Sequence, residues 1–301
     1  MKRLVNLRIL ITALNLFFVP MCYCQEVGYV DGNFPGLTPK IYAPGILSLR
    51  GRCEHGLAIR NNGREHYFGL DGAKSWTYNG IACLKRGNNN ELIIDNLMVT
   101  DHISRKSNTI IGGEPHLSSD WQTMYFVADY PTDIYETKID KSGKWGEPVK
   151  LDSVVNSNDS EWYPVIASDN CLYFSRDGVI HRTEHVNGKY RKVSKLEAAF
   201  NHDCGDQVFS KHMDYIIFSS SRNGGFGNND LYIAFKKYNG EWTDGINMGP
   251  EINTEGFELA PYISPDNKYL FFTRRDKYEN ATASDIYWVS LDIVTTIKKQ
   301  I

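Results

Sequence analysis

The sequence lacks the signatures of several common protein classes. Only six cysteines occur in 301 residues and no C-x-x-C pair is present, so neither a disulfide-dense scaffold nor a structural zinc site is expected. Positive and negative side chains nearly balance, 33 against 36, which argues against a nucleic-acid partner. No G-x-S-x-G elbow, H-E-x-x-H pair, Walker loop or EF-hand loop occurs, and each of those motifs would have indicated a specific chemistry.

The one strongly apolar run lies at the N-terminus. A basic head containing Lys2 and Arg3 precedes the run from Ile9 to Val19, which is too short to span a bilayer comfortably. This order is typical of a secretory signal peptide. We therefore expect residues 1–24 to be a signal peptide, residues 25–301 to form the mature domain without a transmembrane segment, and the protein to be secreted or periplasmic in a bacterial cell envelope.

A lipid anchor is the alternative to simple cleavage, with Cys22 or Cys24 as the modified residue. Met21 and Tyr23 stand immediately before these cysteines, where a small residue is expected, so the anchor is disfavoured. Four cysteines remain in the mature domain, and we expect buried free thiols more than disulfides. They are Cys53, Cys83, Cys171 and Cys204.

An internal repeat decides the fold class. Five segments each contain a short apolar strand, a turn rich in Asp, Asn or Gly, and an aromatic strand that ends near a phenylalanine. These phenylalanines recur at intervals of 44 to 58 residues, a spacing that suits a four-stranded blade. They are Phe68, Phe126, Phe174, Phe218 and Phe272.

Two further strands follow in most units. A third strand is predicted from Asp133, Gly178, Asp230 and Asp285, and a Gly-x-aromatic turn then leads to an outer strand. Each unit thus supplies four strands, as a propeller blade requires. The segments resemble the WD40-like, Pro-Asp-containing repeat of TolB-type β-propellers. The run from Ser219 to Thr273 is similar to exported repeat proteins of Bacteroidetes-type bacteria.

The resemblance covers residues from about 35 to 292 and implies an all-β fold, a single β-propeller. Five motifs predict five four-stranded blades, or six if one blade has diverged. The stretch from Pro39 to Ser48 resembles an outer strand rather than the start of a blade. We predict that it pairs with the last blade and closes the ring, which removes exposed sheet edges.

Each blade also carries one carboxylate twelve to fourteen positions before its phenylalanine. Strand alternation would place these groups on one face at a mouth of the central channel. One interpretation is that they hold a calcium ion or a polar ligand. The other is that they accept hydrogen bonds from neighbouring blades and stabilise the ring. We prefer the second, because repeat motifs recur first for structural reasons. The carboxylates are Glu54, Glu114, Glu161, Asp206 and Glu258.

The same strand alternation makes His116, His202 and Tyr163 candidates for catalysis with Glu161 and Glu114. His55 falls on the opposite parity and is expected to be packed or solvated. Three arginines follow the second strands and would either clamp an anionic ligand group or form strand-end ion pairs, the latter being preferred. They are Arg176, Arg222 and Arg274.

Three functions remain open at this point. The first is a non-catalytic propeller that binds an envelope protein or polysaccharide at one face of the channel. The alternative is a secreted carbohydrate-active enzyme, a polysaccharide lyase or glycoside hydrolase, with its site at the channel mouth. A purely structural envelope component is the third. A β-propeller fold is compatible with all three functions.

Overall fold

Five antiparallel blades follow one another along the chain in the computed structural model, which describes residues 28–71, 78–87, 91–97, 112–276 and 283–300. The expected signal peptide and the cysteines within it lie outside these residues. The first strand, β1 (Lys40–Ile41), stands apart from the blade that follows it. The first blade consists of β2 (Cys53–Arg60), β3 (Glu65–Asp71), β4 (Tyr78–Arg86) and β5 (Leu92–Leu97).

The second and third blades repeat this meander with shorter outer strands. The second contains β6 (Gly113–Leu117), β7 (Thr123–Ala128), β8 (Asp133–Lys138) and β9 (Val149–Lys150). The third contains β10 (Trp162–Ile166), β11 (Cys171–Arg176), β12 (Val179–Val186), β13 (Lys189–Tyr190) and β14 (Ser194–Lys195). Both β13 and β14 pair with β12, because β12 is long enough to hold two short partners.

The last two blades complete the ring. The fourth contains β15 (Cys204–Phe209), β16 (Tyr215–Ser220), β17 (Asp230–Phe235) and β18 (Ile246–Asn247). The fifth contains β19 (Phe257–Ile263), β20 (Tyr269–Arg275) and β21 (Ser284–Ser290). A short helix, α1 (Asp292–Lys298), follows and buries Ile293, Val294 and Ile297 against the fourth and fifth blades.

The predicted ring closure is confirmed. Strand β1 pairs antiparallel with β21, with Lys40 opposite Trp288 and Ile41 opposite Tyr287. The N-terminal segment thus supplies the outer strand of the fifth blade. Tyr42 follows this strand and is fully buried; its hydroxyl lies 2.8 Å from His66 Nε2 in the first blade.

The hydrophobic core lies between blades rather than within any one of them. Tyr67 of the first blade packs with Phe126 of the second, and Val127 of the second packs with Phe174 of the third. Equivalent clusters join the third blade to the fourth, the fourth to the fifth, and the fifth to the first. Since every blade buries both faces against neighbours, the five blades form one closed domain. No helix in the part of the chain described here is long and apolar enough to cross a membrane.

The turns and thiols agree with the sequence. Asn170 and Asn267 adopt φ of 59° and 60° at the turns between the first two strands of their blades, a conformation that asparagine tolerates. The aligned phenylalanines all lie within second strands and are at most 1% exposed. The four cysteines of the mature domain are buried free thiols.

Candidate functional site

A cavity of about 550 Å³ lies where the five inner strands begin, at one mouth of the central channel. Its volume is in the range of small-molecule sites, about 300 to 1,000 Å³. Strands β2, β6, β10, β15 and β19 all contribute to the wall. Their lining residues include His55, Glu114, Trp162, Gly205, Asp206, Phe257 and Leu259.

A β-bulge interrupts every inner strand at the same place. The pairing with the second strand shifts after His55, Gly113, Trp162, Cys204 and Leu259. Prolines follow the bulge residue in three blades, and proline within a sheet is confined largely to edges and bulges. A bulge adds a residue and re-aims the side chains on either side of it. The two-residue alternation is therefore lost at this point of each strand.

The bulge corrects the expectation that five carboxylates share one face. Glu114 and Asp206 occupy the bulge itself and line the cavity. The other three carboxylates stand two positions before the bulge residue of their own blade. They are fully buried and do not line the cavity: Glu54, Glu161 and Glu258. Of the five aligned carboxylates, two line the cavity at the channel mouth.

The three other carboxylates are held by arginine and by the preceding loop. Glu161 Oε1 accepts hydrogen bonds from Arg176 Nε at 2.7 Å and from the Ser157 hydroxyl at 2.7 Å. Glu258 is bound in the same way by Arg274 at 3.0 Å, and Glu54 pairs with Arg52. Burial raises the pKa of each of these carboxyls, and that of Glu54 reaches about 7.

The arginines that follow the second strands have structural contacts on every side. Arg176 donates from Nη2 to the Val155 carbonyl at 2.6 Å, and its guanidinium lies 5.2 Å from the ring centre of Phe174. Arg274 and Arg222 repeat this arrangement over the phenylalanines of their own blades. None of the three lines the cavity. Arg176 and Arg274 therefore form the preferred strand-end ion pairs, whereas Arg222 bonds backbone carbonyls instead.

The fourth blade has a thiol where others have a carboxylate. Cys204 lines the cavity wall and lies 3.5 Å from Arg222 Nη2. Burial raises the pKa of this thiol to about 11. Because the thiolate is the reactive form, Cys204 is not an activated nucleophile.

Glu114 and Asp206 each bind the backbone of the next blade. Glu114 Oε2 accepts a hydrogen bond from the Tyr163 amide at 2.5 Å, and Asp206 Oδ2 accepts one from the Ala260 amide at 2.8 Å. Both donors are bulge residues with φ near 50°. The preferred structural role, acceptance of hydrogen bonds from a neighbouring blade, thus applies to one oxygen of each carboxylate.

The two cavity carboxylates interact electrostatically with His55. His55 Nε2 lies 3.6 Å from Glu114 Oε1, and both side chains are at most 3% exposed. The pKa of Asp206 is raised to about 7, mainly by burial and also by the nearby Glu114 carboxylate, while His55 opposes the shift. Such a carboxyl exchanges its proton near neutral pH.

His55 lines the cavity, where strand alternation did not place it. His55 is packed, as expected, at 3% exposure, and it reaches the cavity because the bulge that follows it ends the two-residue alternation. Trp162 and Leu259 occupy the equivalent position in their blades and also line the cavity. The prolines at positions 115, 164 and 261 are the sequence signal that would have revealed the bulge.

The histidines predicted as catalytic do not meet in the cavity. His202 is exposed and lies 3.2 Å from Asp203, and His116 is half-buried with its pKa lowered by burial to about 4. Neither lines the cavity. Tyr163 is buried, and its hydroxyl donates to the Pro261 carbonyl at 3.0 Å across the channel, so this side chain joins the third blade to the fifth.

The described residues contain no group of three or more His, Cys, Asp or Glu side chains placed to hold a metal ion. The shared calcium site expected from the alignment is therefore not assembled from all five carboxylates. Glu114 and Asp206 are the two that face the cavity. Calcium binding there stays a prediction.

Comparison with known proteins supports the fold. No protein-family profile and no curated protein matches the sequence. Among solved structures, a GH43 β-1,3-galactosidase superimposes with a TM-score of 0.52 at 12% identity, covering 79% of this chain and 56% of that one. A TolB from Agrobacterium tumefaciens matches with a TM-score of 0.46 at 14% identity, over 75% of this chain and 71% of its own.

A xylan β-1,4-xylosidase from Bacillus halodurans is similar at a TM-score of 0.49 and 12% identity, over 82% of this chain and 53% of that one. The chain thus spans little more than half the length of both glycosidases. At these identities the likeness shows the fold alone. Together with the five blades and their closure, the likeness to the galactosidase shows that the protein has a β-propeller fold.

Proposed function

We propose that the protein is an exported, non-catalytic β-propeller that binds a glycan in the cavity at the channel mouth. The observation that carries the proposal is the composition of the cavity wall. Buried hydrogen-bonding carboxylates, Glu114 and Asp206, share it with the aromatic rings of Trp162 and Phe257. Sugars present both hydroxyl donors and apolar C–H faces, and this wall complements both.

The size of the cavity favours a glycan over a folded protein partner. A stable protein interface buries about 800 Å² on each partner and is commonly flat, whereas this site is a concave space of about 550 Å³. One or two sugar rings at the end of a chain would fill such a space. The half-buried Trp162 provides a ring face for stacking at low entropic cost.

Export is the second part of the proposal. It is supported by the basic head and apolar run of residues 1–24. The mature N-terminus is expected near Gln25. Mass spectrometry of the protein recovered from a secreting bacterial host should show the loss of this segment, and an intact N-terminus would contradict the proposal.

A glycoside hydrolase is the second candidate, and one observation favours it. Asp206 has a pKa of about 7 beside the carboxylate of Glu114, and glycoside hydrolysis uses one protonated and one ionised carboxyl group. In this role Asp206 would donate the proton to the leaving oxygen. The hydrogen bond from the Ala260 amide to Asp206 Oδ2 leaves this carboxyl in a fixed position.

A polysaccharide screen with matched variants tests both candidates. A binding protein should bind the polysaccharide without forming product, and Trp162→Ala should abolish this binding. Tyr238→Ala is the control and should retain it, because Tyr238 is a fully exposed aromatic residue outside the cavity. Release of reducing ends that disappears in Asp206→Asn would establish the hydrolase instead. Unchanged binding in Trp162→Ala would refute the assignment of the cavity as the glycan site.

A further inference from the structure

Two uncharged polar side chains line the cavity without being used by the protein itself. Ser175 is 4% exposed, and its hydroxyl has no hydrogen-bond partner in the described part of the chain. The side-chain amide of the half-buried Asn229 has none there either. A polar group that is withdrawn from water without gaining a partner destabilises the folded state. A ligand that supplies the missing partners would therefore gain affinity from both side chains.

The equivalent hydroxyls of two other blades show what this position does for the scaffold. Thr273 stands at the same place in the fifth blade, directly after the aligned phenylalanine, and its hydroxyl accepts a hydrogen bond from the Gly56 amide at 3.0 Å. Ser219 of the fourth blade is fully buried, lacks a partner for its hydroxyl among the described residues, and does not line the cavity. Of these three hydroxyls, that of Ser175 is the one placed to meet a ligand.

Each of the two polar side chains stands beside an aromatic ring. Ser175 is the cross-strand partner of Trp162 in the pairing of β10 with β11, and such partners have Cβ atoms about 4.5 to 5.5 Å apart on one face of the sheet. Asn229 forms a bridge with Phe257 at the start of β19. Both rings line the cavity. The wall thus offers a hydrogen-bonding group and an apolar surface together at two places.

Gly205 lies on the blade between these two places. It belongs to β15 and lines the cavity. A Cβ at this position would lie 2.5 Å from the hydroxyl oxygen of Ser219, so a larger residue would not fit unless that hydroxyl moved. Backbone rather than a side chain therefore forms the wall there, which leaves the space in front of it to a ligand group.

An acetamido group matches this wall better than a hydroxyl group does. Its N–H and C=O complement the serine hydroxyl and the asparagine amide, which can each donate and accept. Its methyl group would contact the fifth blade, where Phe257 and Leu259 are 8% and 7% exposed and both line the cavity. A sugar hydroxyl at the same place would exchange water for apolar neighbours and leave part of its hydrogen bonding unmade.

We infer that Ser175 and Asn229 form an uncharged subsite that recognises the acetamido group of an N-acetylated amino sugar. The inference rests on the proposed glycan-binding function and names the class of sugar. It requires no charge on the ligand. Glu114 remains paired with His55 and with the Tyr163 amide, and Asp206 with the Ala260 amide.

Calorimetric titration with three β-1,4-linked tetrasaccharides tests the inference. The probes are the N-acetylglucosamine tetramer, the glucosamine tetramer and cellotetraose, which differ only in the substituent at C2. Titration at pH 8 keeps the amino groups of the glucosamine tetramer largely uncharged. The N-acetylated tetramer should bind about tenfold more tightly than the other two, because it brings both an amide and a methyl group to the wall.

Two variants and a matched control locate the subsite. Ser175→Ala and Asn229→Ala should each weaken binding of the N-acetylated tetramer by about fivefold and change the affinity for cellotetraose little. Ser219→Ala removes the equivalent hydroxyl of the next blade, which does not line the cavity, and should leave both affinities unchanged. Because the Ser175 hydroxyl has no partner within the described residues, Ser175→Ala should unfold at the wild-type temperature or above it. Weaker binding by this variant then cannot be attributed to a loss of fold.

The outcomes separate the inference from the function on which it rests. Equal affinity for the N-acetylated tetramer and cellotetraose, or for the N-acetylated and glucosamine tetramers, overturns the acetamido subsite while glycan binding stands. A preference that persists unchanged in both Ser175→Ala and Asn229→Ala places the acetamido group elsewhere and also overturns the inference. Failure of the N-acetylated tetramer to bind overturns the inference as well. If no tetramer and no polysaccharide of the screen binds, the proposed function is overturned with it.

Discussion

Replacing Asp206 by asparagine should stabilise the protein at neutral and alkaline pH. The pKa of Asp206 in the folded protein is about 7, against an ordinary value of 3.8. Folding therefore raises the proton affinity of this carboxyl, and stability falls as the pH rises from about 4 to about 7. The asparagine variant carries no charge at this position, so its free energy of unfolding does not fall in this way as the pH rises.

The size of the effect follows from the shift. A difference of about 3 pH units at about 1.4 kcal/mol per unit is about 4 kcal/mol at most. The variant and the wild type should have nearly equal stability below pH 4, where Asp206 is protonated in both the folded and unfolded states. The difference should grow between pH 4 and pH 7 and remain constant above it. For a domain of this size, about 4 kcal/mol corresponds to a rise in Tm of roughly 7 °C at most.

Urea unfolding followed by tryptophan fluorescence at pH 4, 5, 6, 7 and 8 measures this profile. Glu251→Gln, an exposed acidic position, is the control and should follow the wild type throughout. Glu114→Gln should move the midpoint of the pH dependence downward, since the Glu114 charge is one cause of the raised pKa of Asp206. A stability difference between Asp206→Asn and wild type that is independent of pH, or a less stable variant at pH 8, would refute the reasoning.

Three further predictions concern the ring and the cavity. Arg274→Ala leaves Glu258 buried without its guanidinium partner and should cost about 3 kcal/mol at pH 7 and less at pH 4, measured as a shift in the urea midpoint. Tyr42→Phe removes the hydroxyl bound to His66 and should lower stability by about 1 to 2 kcal/mol; no change in Tm would mean that this contact does not help to hold the ring closed. Calcium, if it binds in the cavity, should raise Tm and a chelator should lower it, and both responses should vanish in Glu114→Gln.

The fold could be predicted from the sequence because each blade repeats local signals. Third strands begin at Asp133 and Asp230 as the alignment indicates. The closing strand was recognisable because the segment around Lys40 resembles the outer strand of a blade and follows no inner strand of its own. Turn residues, strand length and the interval between repeats all act over short distances, and sequence patterns report such short-range effects well.

The cavity could be predicted only in part, because its geometry depends on a local break in strand alternation. Counting from Phe68 or Phe126 assigns faces correctly up to the bulge and wrongly beyond it. The repeat spacing therefore identifies Glu114 and Asp206 but groups them with Glu161 and its equivalents. Whether a buried carboxylate faces an arginine or a cavity depends on where that arginine lies in three dimensions. The repeat spacing gives no information about that position.

Comparison of the blades separates the scaffold from the site. The arginine over the aligned phenylalanine recurs in four blades, over Phe68, Phe174, Phe218 and Phe272, so this contact belongs to the fold. At the bulge, by contrast, the five blades carry Gly56, Glu114, Tyr163, Asp206 and Ala260. A bulge recurs at this point of every inner strand while its side chain changes, and of the five bulge residues only Glu114 and Asp206 line the cavity. The blades thus share their scaffold contacts but differ at the bulge residue, and Asp206 and Glu114 are the two bulge residues that bring a carboxyl group to the cavity wall.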